Sequence, residues 1–141
     1  MDYNEFIKKV KERAEIPTEN EAVRAIAATL TTLAQRMAGG QPGNMAAQLP
    51  EGVKEFLNGV VGKGNDFPVD EFFHRVAERE GVELAEGSKH ARAVMVTIGE
   101  AISGGEAMHI MHQLPTEYAQ LFYVGGGGYY NQETTQPQGG V

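Results

Sequence analysis

Apolar side chains recur along the first forty residues at helical spacing. Tyr3, Phe6, Ile7, Val10 and Ala14 stand three or four residues apart and predict one apolar face on a first helix. Val23, Ile26, Leu30, Leu33 and Met37 carry a second stripe. It opens after Thr18, and Glu21 three residues on completes a capping-box signal. Gly39-Gly40 predict the end of that helix, because glycine accepts left-handed backbone at a C-terminus. Met45 and Leu49 mark a short third helix. Pro50 marks the start of a fourth, where a missing N–H is no loss. Val53, Phe56, Leu57 and Val60 lie along one side of that fourth segment and are expected to present an apolar face. No alternation of strand length bounded by hairpin signals occurs, so the expected class is all-α.

The pattern then repeats. At an offset of 66, Glu5, Phe6, Val10, Glu12 and Arg13 fall on Glu71, Phe72, Val76, Glu78 and Arg79. At an offset of 65, Ala28, Thr32, Gly39, Gly40, Gln48, Leu49 and Pro50 fall on Ala93, Thr97, Gly104, Gly105, Gln113, Leu114 and Pro115. Val94, Ile98 and Ile102 form the second copy's long stripe, Gly104-Gly105 its expected end, and Tyr118, Leu121 and Phe122 its fourth-segment face. Residues 1–57 and 67–124 are thus read as tandem four-helix repeats, joined by a Gly-rich connector at 58–66. One repeat alone would bury too little surface, so the two are expected to pack as a single helical bundle. Residues 125–141 differ in kind: they hold six of the eighteen glycines and one charged residue, Glu133, and predict a flexible tail. Tyr129 and Tyr130 are its aromatic groups and its candidate protein-interaction motif.

Composition narrows the function more than it names one. Of 141 residues, 41% are apolar and 22% charged, the balance of a soluble globular chain. Twelve Lys and Arg against nineteen Asp and Glu give a net charge of −7, and the densest cationic cluster, Lys8, Lys9, Lys11 and Arg13, shares its helix with Glu5, Glu12 and Glu15. That argues against nucleic-acid binding, which needs clustered cations on one face. No apolar run reaches the ~18 residues of a membrane span. Cysteine is absent, so disulfides, thiolate nucleophiles and Cys-based zinc sites are excluded. A cytoplasmic location is the default expectation.

The series Asp70-Glu71-Phe72, Arg75-Val76-Ala77-Glu78-Arg79, Ser103-Gly104-Gly105-Glu106 and Gln113-Leu114-Pro115, followed by Glu117-Tyr118 and Leu121-Phe122, resembles the bacterial family known as domain of unknown function 2267. The first copy carries it more loosely, in Asp2-Tyr3-Asn4-Glu5-Phe6 and Gln48-Leu49-Pro50, and departs from it at Pro42 and Gly43. The resemblance implies a small helical protein of two such repeats and assigns no activity.

Candidate chemistry is sparse. Glu106, His109 and His112 stand at i, i+3, i+6 near one helix face, a donor set that suits zinc, nickel or iron, with Met108 and Met111 as soft neighbours. The first copy has Gln41, Asn44 and Ala47 there, and only one Glu-x-x-His is present where a di-iron bundle needs two. His74 and His90 show no partner in sequence. Arg13 and Arg79 recur in both copies at the edge of the apolar stripe, as a structural pair or as two anion contacts. Gly59-Val-Val-Gly62-Lys63-Gly64 has the wrong spacing for a phosphate loop. Ser88 and Ser103 are the only serines, and neither lies in a nucleophile elbow.

Charge divides unevenly: residues 1–57 carry seven basic and eight acidic groups, a net of −1, and residues 67–124 carry four and nine, a net of −5. The reading is a non-enzymatic helical interaction protein, adaptor or structural, that binds a protein partner or itself and needs no cofactor. The alternative is a small-ligand or metal-binding sensor using the Glu-x-x-His-x-x-His face.

Overall fold

The structure is a computed structural model and describes residues 1–122. Helix α1 (Tyr3–Ala14) is capped by Asp2, whose carboxylate accepts the Glu5 N–H at 2.8 Å. It ends on Glu15 in the left-handed region at φ 56°. Helix α2 (Glu19–Arg36) begins at the Thr18 cap, where the hydroxyl accepts the Glu21 N–H at 3.2 Å. A two-residue strand β1 (Ala38–Gly39), a short α3 (Gln41–Ala46) and a 3₁₀ turn (Lys54–Leu57) complete the first half. Pro42 lies in the first turn of α3, where proline fits a helix, so this segment is helical despite Pro42 and Gly43.

The second half follows the same order. Helix α4 (Val69–Glu80) matches α1 at 12 residues, and α5 (Leu84–Ala101) matches α2 at 18. The one-residue slip between offsets falls in the loop, since residues 15–18 join α1 to α2 while residues 81–83 join α4 to α5. Gly81 takes up at φ 80° the left-handed position that Glu15 occupies in the first half. Helix α6 (Gly104–His112) and a 3₁₀ helix (Thr116–Phe122) end the described chain.

Packing interleaves the two halves. Helix α1 lies against α5, and α2 lies against α4, while α4 and α5 pack on each other and α2 touches α5. Phe6, Val10, Leu30, Leu33, Phe72, Val76, Val94 and Ile98 are buried in one continuous core. Each such side chain contributes roughly 1.5–3 kcal/mol by leaving water. At the α4–α5 crossing the backbones approach closely: a Cβ on Gly87 would stand 2.5 Å from the Ala77 Cβ. The corresponding α2 residue is Ala22, and α1 and α2 share a smaller interface.

Three expectations change. Gly104 and Gly105 do not terminate the long helix; they open α6, because Ser103 intervenes and its hydroxyl accepts the Glu106 N–H at 3.1 Å. The fourth segments are 3₁₀ turns rather than α-helices, and their apolar groups face inward: Val53, Leu57, Tyr118 and Leu121 are all buried. The physical cause is the shortness of α3 and α6, which leaves the ends of the long helices uncovered unless the next turn folds back over them. Finally, the connector joins the first half, since β2 (Gly62–Lys63) pairs antiparallel with β1. The Gly64 N–H also donates to the Met37 carbonyl at 2.7 Å. Gly62 is required there, because a Cβ would meet the Met37 carbonyl oxygen at 2.4 Å.

Candidate functional site

Arg13 and Arg79 each reach from a first helix into the opposite half. Arg13 Nη1 donates to the Thr97 hydroxyl at 3.0 Å, and Arg79 Nη1 donates to the Thr32 hydroxyl at 2.6 Å. Both threonines are fully buried, and each hydroxyl donates in turn to the carbonyl four residues back, Ala93 or Ala28, at 2.8 Å. The stripe-edge position thus puts a guanidinium at the rim of the helix crossing, where its stem covers apolar surface and its fork finds oxygen.

The two crossings differ at two positions. Arg13 is closed by Glu100, with Nη1 3.0 Å from Oε1 and Nη2 2.6 Å from Oε2, and Lys9 stands 3.7 Å from the same carboxylate. At the other crossing Gln35 replaces the carboxylate, and Arg75 takes the place of Lys9. Arg75 Nη1 donates to Gln35 Oε1 at 3.0 Å, while its Nε and Nη2 donate to Glu71 at 2.9 and 2.5 Å. Its guanidinium also lies 4.0 Å from the centre of the Phe67 ring. Arg79 titrates below the ordinary arginine range, chiefly because its head is partly desolvated and secondly because of the Arg75 cation, with Glu78 opposing.

His90 is not the unpartnered histidine that its sequence surroundings imply. It is buried, with Nδ1 hydrogen-bonded to Glu80, itself 5% exposed, and Nε2 3.1 Å from Glu86. Glu80 Oε1 has no hydrogen-bond partner among the described residues. The first half carries Ala14 and Ala25 at the equivalent positions, both buried. The i, i+4 spacing of Glu86 and His90 was a legible signal; the Glu80 contact depends on how α4 meets α5.

On α6 the three candidate ligands do not converge. Glu106 lies in the first turn beside its Ser103 cap, and His112 is exposed. His109 Nε2 stands 2.9 Å from the Gln113 amide nitrogen and 3.3 Å from that of Gln41. With amides donating, that ring nitrogen acts as acceptor. Among the described residues no group of three or more His, Asp or Glu is placed to hold a metal ion. Met108 and Met111 are instead exposed, at 52% and 39%. Met111 borders a hollow of about 120 Å³ lined also by Leu114, Pro115, Thr116, Tyr118 and Ala119. Tyr129 and Tyr130 lie outside the described residues. Among the described residues no helix is long and apolar enough to cross a membrane.

These features define an all-helical protein whose distinctive side chains sit at helix crossings and on one exposed helix face. The chain matches the family model described as "Uncharacterized conserved protein (DUF2267)" over residues 3–121, and it belongs to that family. No curated protein matches it.

Proposed function

We propose that this protein works by binding a protein partner rather than by catalysis, and that the face of α6 is where it binds. The observation that carries this reading is the exposure of Met108 and Met111, the latter bordering the hollow at Leu114, Pro115 and Ala119. Large apolar groups are otherwise drawn into the core: among the described residues only Met1, Val61, Leu84, Met108 and Met111 are large, apolar and exposed. Two of these five share one helix face, three residues apart. Methionine is unbranched and polarisable, and it adapts to an incoming apolar side chain. The surrounding half of the chain is acidic, at −5, so the partner expected is one with an apolar anchor and basic flanks. The serines support a non-catalytic role, since Ser88 donates to the Leu84 carbonyl at 2.9 Å and Ser103 serves as a helix cap.

The test is quantitative affinity purification from native cells with three baits: the full chain, Met108→Glu with Met111→Glu, and a chain ending at Val124. A partner held by the full chain and the truncation but lost from the double variant is expected. Retention by the double variant and loss from the truncation would move the interface to Tyr129 and Tyr130. No enriched partner with any bait would overturn the binding reading.

A further inference from the structure

The duplication supplies an internal comparison for an anion site. At one helix crossing two cations, Lys9 and Arg13, enclose one carboxylate, that of Glu100. At the other, two guanidinia, Arg75 and Arg79, face the neutral amide of Gln35 and the hydroxyl of Thr32. Glu71 engages Arg75 only along the Nε–Nη2 edge. Among the described residues Arg79 has one hydrogen-bond acceptor, Thr32, so Nε and Nη2 of its fork have none. Glu78 is close enough to influence Arg79 electrostatically but accepts no hydrogen bond from it. We infer that Arg75 and Arg79 bind an external oxyanion, a carboxylate or a phosphate, where the other crossing uses its own Glu100.

The chemistry follows from the fork. A guanidinium presents paired donors that match two oxygens of one group, as Arg13 does with Glu100. With Glu71 taken up by Arg75 and a neutral amide in place of the second carboxylate, Arg79 lacks the bidentate acceptor that Arg13 has, and its donor sites stay open at a solvent-exposed rim. Phe67 under Arg75 fixes the plane of that guanidinium before any ligand arrives. The site is independent of α6, so the fate of the partner-binding reading does not bear on it.

The experiment follows arginine side-chain Nε–Hε signals by NMR in the full chain. It is titrated separately with inorganic phosphate and with acetate at constant ionic strength. The Arg79 signal is expected to move to saturation with at least one of the two, and the Arg13 signal to stay in place. The responding anion identifies the oxyanion. Gln35→Glu, which supplies an internal carboxylate, is expected to weaken the response by about tenfold or more, the scale of one lost charge-assisted contact. Glu100→Gln is expected to open a second, Arg13-centred response. A response that rises without saturating, that moves Arg13 and Arg79 alike, or that persists unchanged in Gln35→Glu would overturn the inference. So would no response to either anion.

Discussion

The guanidinium of Arg13 on α1 holds both carboxylate oxygens of Glu100 on α5, a contact between residues 87 positions apart. Bidentate geometry makes this pair stronger than an ordinary surface ion pair, yet about a quarter of each side chain remains open to solvent. A double-mutant cycle of Arg13→Gln and Glu100→Gln, read by urea unfolding, is expected to give a coupling of about 1 kcal/mol that shrinks with added salt. The equivalent cycle of Arg79→Gln with Gln35→Ala is expected to give none, because those two side chains share no hydrogen bond.

The close approach of α5 to α4 makes Gly87 intolerant of any side chain. Gly87→Ala would press a methyl against the Ala77 Cβ, Cα and N at 2.5, 2.7 and 3.0 Å, atoms of a packed helix that must move as a body. Helix propensity alone favours alanine by about 1 kcal/mol. Overpacking of this kind costs about 1–3 kcal/mol, so a net loss of stability is expected. A variant as stable as the parent would show that the crossing is looser than the structure has it.

The buried Glu80–His90 pair predicts strong non-additivity. His90→Ala leaves Glu80 buried without its partner, and a loss of about 3 kcal/mol is expected, the lower end for a broken buried pair. Glu80→Ala with His90→Ala restores the two small residues that the first half carries as Ala14 and Ala25. The double variant is therefore expected to be more stable than His90→Ala alone, despite the cavity it leaves. Equal or lower stability of the double variant, measured by denaturant unfolding, would contradict this account.

Tyr118 links stability to alkaline pH. Its hydroxyl donates to the Phe67 carbonyl at 2.5 Å and accepts from Arg36 Nε at 3.2 Å. Burial raises its pKa above the ordinary 10.0, with the Arg36 hydrogen bond opposing. A raised folded pKa means that the contribution is whole below pH 10. It is lost as pH rises through and beyond that value, where the unfolded chain ionises first. Tyr118→Phe is expected to cost about 1 kcal/mol at neutral pH and to flatten the decline in urea midpoint above pH 10. An unchanged alkaline slope would assign the decline to other groups.

How much of this was legible beforehand differs by element. The apolar stripes at Phe6, Val10 and Phe72, Val76 and the Thr18 cap are local signals, and local signals survive because helix periodicity and capping act within a turn or two; the Asp2 cap was seen only in the structure. The fourth segments misled, because Val53, Leu57, Tyr118 and Leu121 show an apolar side without showing whether it meets water or the core. The α6 candidates Glu106, His109 and His112 share a face by spacing alone, and spacing does not say whether ligands converge, because convergence needs positions set to fractions of an ångström.

By itself, the sequence determined the helical class, the order of the long helices and the pairing of Arg13 with Arg79 as equivalent positions. All of these follow from spacing along one chain. Only the tertiary structure decided that each arginine meets a threonine of the opposite half, that Glu100 closes one crossing while Gln35 leaves the other uncharged, and that His90 is held between Glu80 and Glu86. Those contacts join residues 4 to 87 positions apart. Apart from Glu86 and His90, whose spacing lies within one helix, no local rule encodes which distant partner a side chain will meet. That is settled when α1 packs on α5, α2 on α4 and α4 on α5 to bury one shared core.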